Sequence, residues 1–175
     1  MKTINQIFRI CLFFALSIGC SKDNIDVANP SSELAGKWKD QGIKGSLTID
    51  IMGRKSTESL EQPINVDLLE FKNDGSITNS KALSAISNAL LITKYSFSSK
   101  QLTFSGTESY TKKSINLVFN YSLNGNFLIL SMDKELFTKN VESLPDIGPG
   151  SEFEFLKEIV PFVTEYKYEH TFEKQ

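Results

Sequence analysis

The sequence predicts an all-β protein whose main domain is an antiparallel up-and-down barrel of about eight strands with one to three short helical inserts. Apolar and polar residues alternate with a period of two from about Leu34 onward, which is typical of half-buried antiparallel strands. Asn-Asp-Gly at 73–75 and Asn-Gly at 124–125 provide residues that accept a positive φ where tight hairpin turns would lie. Closing such a meander into a barrel removes its exposed edges.

Residues 1–19 have the pattern of a secretory leader. The apolar run at 10–18 is about nine residues long, whereas a membrane-spanning helix needs about 20. The stretch Leu-Ser-Ile-Gly-Cys at 16–20 resembles the lipobox of bacterial lipoproteins. That resemblance implies cleavage between Gly19 and Cys20, diacylation of the Cys20 thiol and acylation of the new amino terminus. The alternative is a plain signal peptide followed by a chance cysteine.

Residues 20–33 are predicted to be a lipidated cysteine with a flexible tether. Two or three acyl chains hold a protein durably at a membrane, and Cys11, the other cysteine, would leave with the leader. Residues 21–33 show no apolar period, so a segment reaching about 40 Å is expected. Ser-Lys-Asp at 21–23 resembles export signals of surface lipoproteins in the Bacteroidota. We therefore expect a lipid anchor in the outer membrane, on its periplasmic or its surface face.

The segment 34–175 is expected to fold as one barrel domain. On its last strand, alternation places Tyr166, Tyr168, His170 and Phe172 on one face and mostly charged residues on the other. The apolar residues at 115, 117, 119 and 121 repeat this pattern on an earlier strand. The predicted strands lie at 36–40, 44–52, 63–72, 76–79, 93–98, 101–106, 114–122, 126–132 and 163–173.

Three segments interrupt the strand pattern and are predicted to be helical. Residues 80–91 space their apolar side chains at helical intervals, and residues 134–144 do so more weakly. Residues 151–161 begin with a capping box, Ser151 and Glu154, and end at Pro161. The stretch 145–150 between the last two is expected to be a loop. Such inserts most often close one end of a barrel; the alternative is a lid that gates a cavity.

Four stretches in order resemble the lipocalin-like domains of secreted Bacteroidota lipoproteins. They are ELAGKWK at 33–39, LLEFKNDGSI at 68–77, YSFSSKQLTF at 95–104 and YSLNGNFLIL at 121–130. The resemblance implies an up-and-down barrel in which Gly36 and Trp38 mark the floor and the tryptophan closes it. It also implies an interior able to hold a small apolar ligand.

The residues argue against most catalytic and cofactor chemistry. The chain has one histidine and no G-x-S-x-G motif, so we expect no enzyme, no metal site and no cofactor. The net charge is -2, and loss of Lys2 and Arg9 with the leader makes it about -4, so no nucleic-acid partner is expected. His170 is predicted to be either a hydrogen-bonded side chain in the wall or a polar contact to a ligand.

Two functional hypotheses remain. The first is a membrane-anchored binding module for a small hydrophobic molecule such as a lipid, contacted by Phe119, Tyr121, Tyr166, Tyr168 and His170. This hypothesis requires space inside the barrel, because an eight-stranded interior is either filled by side chains or holds one small ligand. The second is a solid barrel that serves as an accessory protein of an outer-membrane assembly or polysaccharide system. It would present an exposed apolar patch around residues 137 and 147 to a protein partner that the sequence does not identify.

Overall fold

The structure, a computed structural model, describes residues 33–62, 68–78, 83 and 90–175. The predicted leader, the lipidation site at Cys20 and the tether up to residue 32 lie outside these described residues. Residues 63–67, 79–82 and 84–89 are outside them as well.

The described residues form nine strand segments and two α-helices. The first strands are β1 (Gly36–Ile51), β2 (Arg54–Gln62), β3 (Leu68–Phe71) and β4 (Ile77–Thr78). The remaining strands are β5 (Leu90–Phe97), β6 (Gln101–Glu108), β7 (Ser114–Asn124), β8 (Phe127–Asp133) and β9 (Val163–Lys174). Between β8 and β9 lie α1 (Lys134–Ser143), α2 (Glu152–Ile159) and a 3-10 turn (Val160–Phe162).

The strands form an eight-stranded, nearly closed, antiparallel barrel, which confirms the predicted fold class. Neighbours in sequence pair from β5 through β9, and β9 returns to pair with β1. Both β2 and β3 pair with β1, at opposite ends of it, and together occupy one position in the wall. The last seam, between β4 and β5, is held by a bridge between Ser76 and Lys94 and by a 2.8 Å bond from the Tyr95 N–H to the Gly75 carbonyl.

The first strand is one long bent strand rather than the two predicted at 36–40 and 44–52. Its pairing with β9 shifts register between Asp40 and Gly42. Gly42 has φ +102°, and its N–H donates to Oδ1 of Asp40 at 2.6 Å. A bulge therefore bends the strand without ending it, because glycine accepts this conformation at little cost.

The second strand, β2, is not among the strands that the sequence predicts. Its sequence, RKSTESLEQ, is polar, and the side chains of residues 54–59 are exposed, so it lacks the alternation that identifies a strand. It is held by the β1 ladder through a two-residue turn, Met52-Gly53, with positive φ at both positions. Of the strand predicted at 63–72, the described part forms β3 at 68–71.

The helix predictions for 134–144 and 151–161 are confirmed. Asp133 caps α1 by accepting from the Leu136 N–H at 2.9 Å, and Ser151 caps α2 by accepting from the Glu154 N–H at 3.2 Å. Residues 145–150 form the expected loop. Neither α-helix in the described ranges is long and apolar enough to cross a bilayer.

The helix predicted at 80–91 is wrong at its end, because residues 90 and 91 begin β5. Leu83 is buried, and residues 80–82 and 84–89 lie outside the described residues. The apolar spacing that suggested a helix includes Leu90, which is the first residue of β5.

Two ends of the barrel are closed differently. The β3–β4, β5–β6 and β7–β8 turns lie at the same end of the barrel as Trp38, which we call the floor. At the opposite end, the cap, α1 packs against β7, β8 and β9, and α2 packs mainly against α1. The β1–β2 and β6–β7 turns also lie at the cap end.

Candidate functional site: a cavity beneath the helical cap

The floor is closed by a buried tryptophan. Trp38 is 1% exposed, and its indole N–H donates to the Leu34 carbonyl at 2.8 Å. The Nζ atom of Lys174 lies 5.2 Å from the indole ring centroid, within the range of a cation–π contact. Gly36 has φ +129°, which only glycine adopts without strain, so it admits the chain into the floor. Gly36 and Trp38 are therefore placed at the floor of the barrel.

Aromatic rings fill the barrel above this floor. Phe71 contacts Tyr95 and Phe104 with ring centroids 4.8 and 6.1 Å apart. Phe104 contacts Phe119 at 5.6 Å, and Phe119 contacts Tyr168 at 5.9 Å. Offset and edge-to-face contacts of this kind stabilise a core beyond the area that they bury. The interior is therefore occupied by side chains up to the level of Tyr168.

A polar network crosses this apolar interior. Asp40 and His170 are buried, and their Oδ1 and Nε2 atoms lie 2.9 Å apart. The Tyr168 hydroxyl lies 3.2 Å from Nδ1 of His170. A neutral imidazole with its proton on Nε2 satisfies all three groups, since Nε2 donates to Asp40 and Nδ1 accepts from the tyrosine. His170 is thus a hydrogen-bonded side chain of the wall.

Burial dominates the ionisation of this network. Removal from water lowers the pKa of His170, and the hydrogen bond to Asp40 and its charge offset this only in part. Burial likewise raises the pKa of Tyr168, so its hydroxyl remains protonated. The network therefore holds a neutral imidazole and a neutral phenol beside one carboxylate.

Between the barrel interior and the helices lies a cavity of about 50 Å³. Its barrel side is formed by residues from β5, β7, β8 and β9, namely Leu90, Leu117, Phe119, Met132, Tyr166 and Tyr168. Its cap side is formed by α1, α2 and the residue after α1, namely Phe137, Asn140, Val141, Leu144, Phe153 and Leu156. The lining is apolar except for one amide and two phenols.

The polar groups of the cavity differ in what they bind. The Asn140 side chain accepts from the Val118 N–H at 2.9 Å and donates to its carbonyl at 2.8 Å, so it fastens α1 to β7. Phe137 stacks on Tyr166 with centroids 4.1 Å apart. The Tyr166 hydroxyl has no hydrogen-bond partner among the residues that the structure describes, and burial raises its pKa to about 12. It can therefore donate to, or accept from, the polar end of a ligand.

The structure brings three of the five predicted ligand residues together. Phe119, Tyr166 and Tyr168 line the cavity. Tyr121 is half-buried further along β7, paired with Leu130, and His170 lies in the network below Tyr168. Neither of these two is among the described residues that line the cavity. In the described part of the chain, no group of histidine, cysteine, aspartate and glutamate side chains could hold a metal ion.

The helical half of the cavity was not identified from the sequence. Val141, Leu144, Phe153 and Leu156 lie on segments that had been predicted as helices but not as cavity walls. The sequence contains part of this information, because the apolar residues on the inner face of a capping helix must contact the barrel interior. Comparison of the chain with protein-family models, curated proteins and solved structures found no match.

Proposed function

We propose that this protein binds one small hydrophobic molecule with a single polar end in the cavity beneath the cap. The observation that carries the proposal is the cavity itself, which is walled mainly by apolar side chains and includes Tyr166 in its lining. Binding sites for small molecules are mostly apolar pockets with a few placed polar groups. An alcohol, a fatty acid or a similar lipid fragment has this combination of properties.

The cavity must enlarge to admit such a ligand. Its volume of about 50 Å³ compares with about 150 Å³ for a cavity that holds benzene and at least about 300 Å³ for ordinary ligand sites. The movable wall in this proposal is α2, because α1 packs on three strands whereas α2 packs mainly on α1. Gly148 and Gly150, with φ +102° and +77°, lie in the loop before α2 and provide a hinge.

We propose further that the protein is a lipoprotein with a lipocalin-like domain, attached to the outer membrane through acylated Cys20. The lipobox-like sequence at 16–20 and the tether composition support the anchor. The proposal includes no catalytic step, and the full burial of His170 between Asp40 and Tyr168 supports this. Mass spectrometry of the native protein should find the acyl mass on a peptide that begins at Cys20.

The small size of the cavity favours a second candidate, a solid barrel that serves as an accessory protein. The apolar patch expected for that role at residues 137 and 147 is not exposed, because Phe137 is buried and Ile147 packs against the core. The two candidates differ in one measurable property, which is uptake of an apolar probe by the purified chain.

Two adjacent leucines provide a matched test of the ligand site. Leu90 lines the cavity, whereas Leu91 points outward from the same strand and is 50% exposed. We expect Leu90→Trp to fill the cavity and weaken binding of a fluorescent fatty acid by at least about tenfold, or about 1.4 kcal/mol. Leu91→Trp should bind as the original chain does. Absence of probe binding, or equal binding by both variants, would support the solid barrel instead.

A further inference from the structure

Large exposed apolar side chains concentrate at the cap end of the barrel. In the β1–β2 turn, Ile51 is 52% exposed and Met52 is fully exposed. On α2 and the 3-10 turn after it, Phe155 is 61% and Phe162 is 45% exposed. Single exposed apolar residues are ordinary, but several that share one end of a small domain indicate a contact surface.

The helix α2 has two apolar stripes. Its inner stripe contains Phe153 and Leu156, which line the cavity. On its outer side, exposed Phe155 and half-buried Ile159 are spaced i, i+4, and exposed Phe162 follows in the 3-10 turn; we call these three residues the outer stripe. The inner stripe packs on the core, whereas Phe155 and Phe162 of the outer stripe are exposed.

The outer stripe and the β1–β2 turn are neighbours. Ile49 pairs with Val163, and the 3-10 turn that contains Phe162 contacts β1. Ile51 is two residues beyond Ile49, and Phe162 directly precedes Val163. We call the set Ile51, Met52, Phe155, Ile159 and Phe162 the apolar rim.

Met52 occupies a position that the fold alone would not assign to it. It has φ +56° at the tip of a hairpin, where asparagine, aspartate or glycine is the usual residue. A left-handed conformation is unfavourable for any residue with a Cβ. The Met52 side chain is fully exposed, so no packing contact offsets this unfavourable backbone conformation. Such local strain is typical of functional positions.

We propose that the apolar rim inserts into the surface of a lipid bilayer. This inference rests on the proposed function, because it assigns the route by which the ligand reaches the cavity: α2 faces the lipid with one stripe and the cavity with the other. The contact chemistry fits a membrane interface, where apolar side chains enter the acyl region and basic ones extend to the phosphates. Arg54 and Lys55 are exposed directly after the hairpin tip.

A bilayer fits this surface better than a protein does. Met52 protrudes from a turn and Phe155 from a helix, so the rim is a set of separate projections that a fluid surface can accommodate. Glu158 on α2 is exposed and opposes attraction to acidic lipids, so zwitterionic lipids should suffice. Strands of this length at the usual tilt give a barrel roughly 30 Å high. A tether of about 40 Å from the floor would therefore let the cap reach the anchoring membrane.

Tryptophan fluorescence provides a local test in the full-length chain. Trp38 is the chain's one tryptophan and is buried at the floor, so it serves as a constant background. Met52→Trp places a reporter on the rim, and Phe127→Trp places one at the 42% exposed tip of the β7–β8 hairpin at the floor. Each chain is reconstituted into phosphatidylcholine vesicles whose acyl chains are either brominated or unmodified, since bromine quenches indole on contact.

Relative to unmodified vesicles, we expect brominated vesicles to quench at least about half of the emission from the tryptophan introduced at position 52. They should quench little of the emission from the tryptophan introduced at position 127. Equal quenching at both positions, or none at position 52 in vesicle-bound chain, would overturn the inference. A concentration-dependent blue shift of Trp emission in Met52→Trp without vesicles would assign the rim to a second copy and also overturn it. Probe uptake without vesicles reports on the cavity separately, so quenching without uptake would support the rim and refute the ligand.

Discussion

The floor and the cap close the same barrel in different ways. At the floor, the strands' own residues meet, and Trp38 is tied to Leu34 by a hydrogen bond and covered by Lys174. At the cap, an inserted pair of helices covers the opening and leaves a cavity. Apolar side chains at the floor are almost all buried, whereas the cap exposes a row of them. The difference contrasts an end closed by the strands themselves with an end closed by an inserted helix pair over a cavity.

The floor and the cap differ in how their backbone groups are hydrogen-bonded and how their segments are connected. The floor residues belong to strands whose backbone groups pair on both sides, so a shift there disrupts a ladder. The helix α2 satisfies most of its backbone groups internally; the 145–150 loop joins it to α1, and the 3-10 turn joins it to β9. It can therefore move as a unit without breaking hydrogen bonds of the sheet.

Truncation of one aromatic residue at each end should give the largest contrast. Trp38→Ala should lower the free energy of unfolding by about 4 kcal/mol, because it leaves a void among rigid strands. Phe153→Ala, which removes a side chain that is also almost fully buried, should cost about 3 kcal/mol, at the low end for such a change, because α2 borders an existing cavity and can settle into the space. Urea denaturation of both variants measures the difference.

Equal losses would show that the cap is as integral to the fold as the floor. A larger loss for Phe153→Ala would reverse the comparison and would contradict a mobile α2.

The buried network between the two ends predicts a dependence on pH. The pKa of His170 is lowered in the folded chain, so the unfolded chain, with an imidazole pKa of about 6.5, binds the proton first as the pH falls. The stability that the neutral imidazole provides is therefore complete above about pH 6.5 and is lost as the pH falls toward the folded pKa. One proton limits the slope to at most about 1.4 kcal/mol per pH unit.

Because the chain has one histidine, a pH dependence of the free energy of unfolding that is lost on its substitution can be assigned to His170. His170→Gln keeps a donor for Asp40 and an acceptor for the Tyr168 hydroxyl but cannot titrate, so its free energy of unfolding should vary less between pH 5 and 6.5. An unchanged slope in this variant would show that carboxylates, rather than the imidazole, govern stability in that range.

Much of the barrel was predictable because alternation and turn residues are local signals. The β7 and β9 strands were assigned correctly, since each apolar face meets the core that the pattern implies. The hairpin turn predicted at 124–125 lies one residue later, at 125–126, because Asn124 still pairs with Phe127 and only Gly125 has a positive φ. The β2 strand was missed because the β1 ladder, rather than burial, holds its polar residues in place. The single bent β1 was also missed, since the bulge at Gly42 depends on a side chain–backbone bond to Asp40.

The candidate site was half predictable. The barrel side of the cavity follows from strand alternation, which placed residues 119, 166 and 168 on the inner face. The cap side requires knowledge of where α1 and α2 lie on the barrel, and this depends on tertiary contacts such as that of Asn140 with Val118. The pairing of Asp40 with His170 joins residues 130 positions apart, and no local pattern indicates it.

The smallest predicted effect tests whether α2 moves separately from the barrel. Ser151→Ala removes the N-cap of α2 and Asp133→Ala removes that of α1, at a cost of about 1 kcal/mol in each case. If α2 opens locally, Ser151→Ala should speed hydrogen exchange of α2 amides about fivefold while the urea midpoint hardly changes. Asp133→Ala should lower the midpoint, because α1 packs on three strands. A loss of global stability in both variants would mean that α2 unfolds only together with the barrel, and ligand entry would then require another opening.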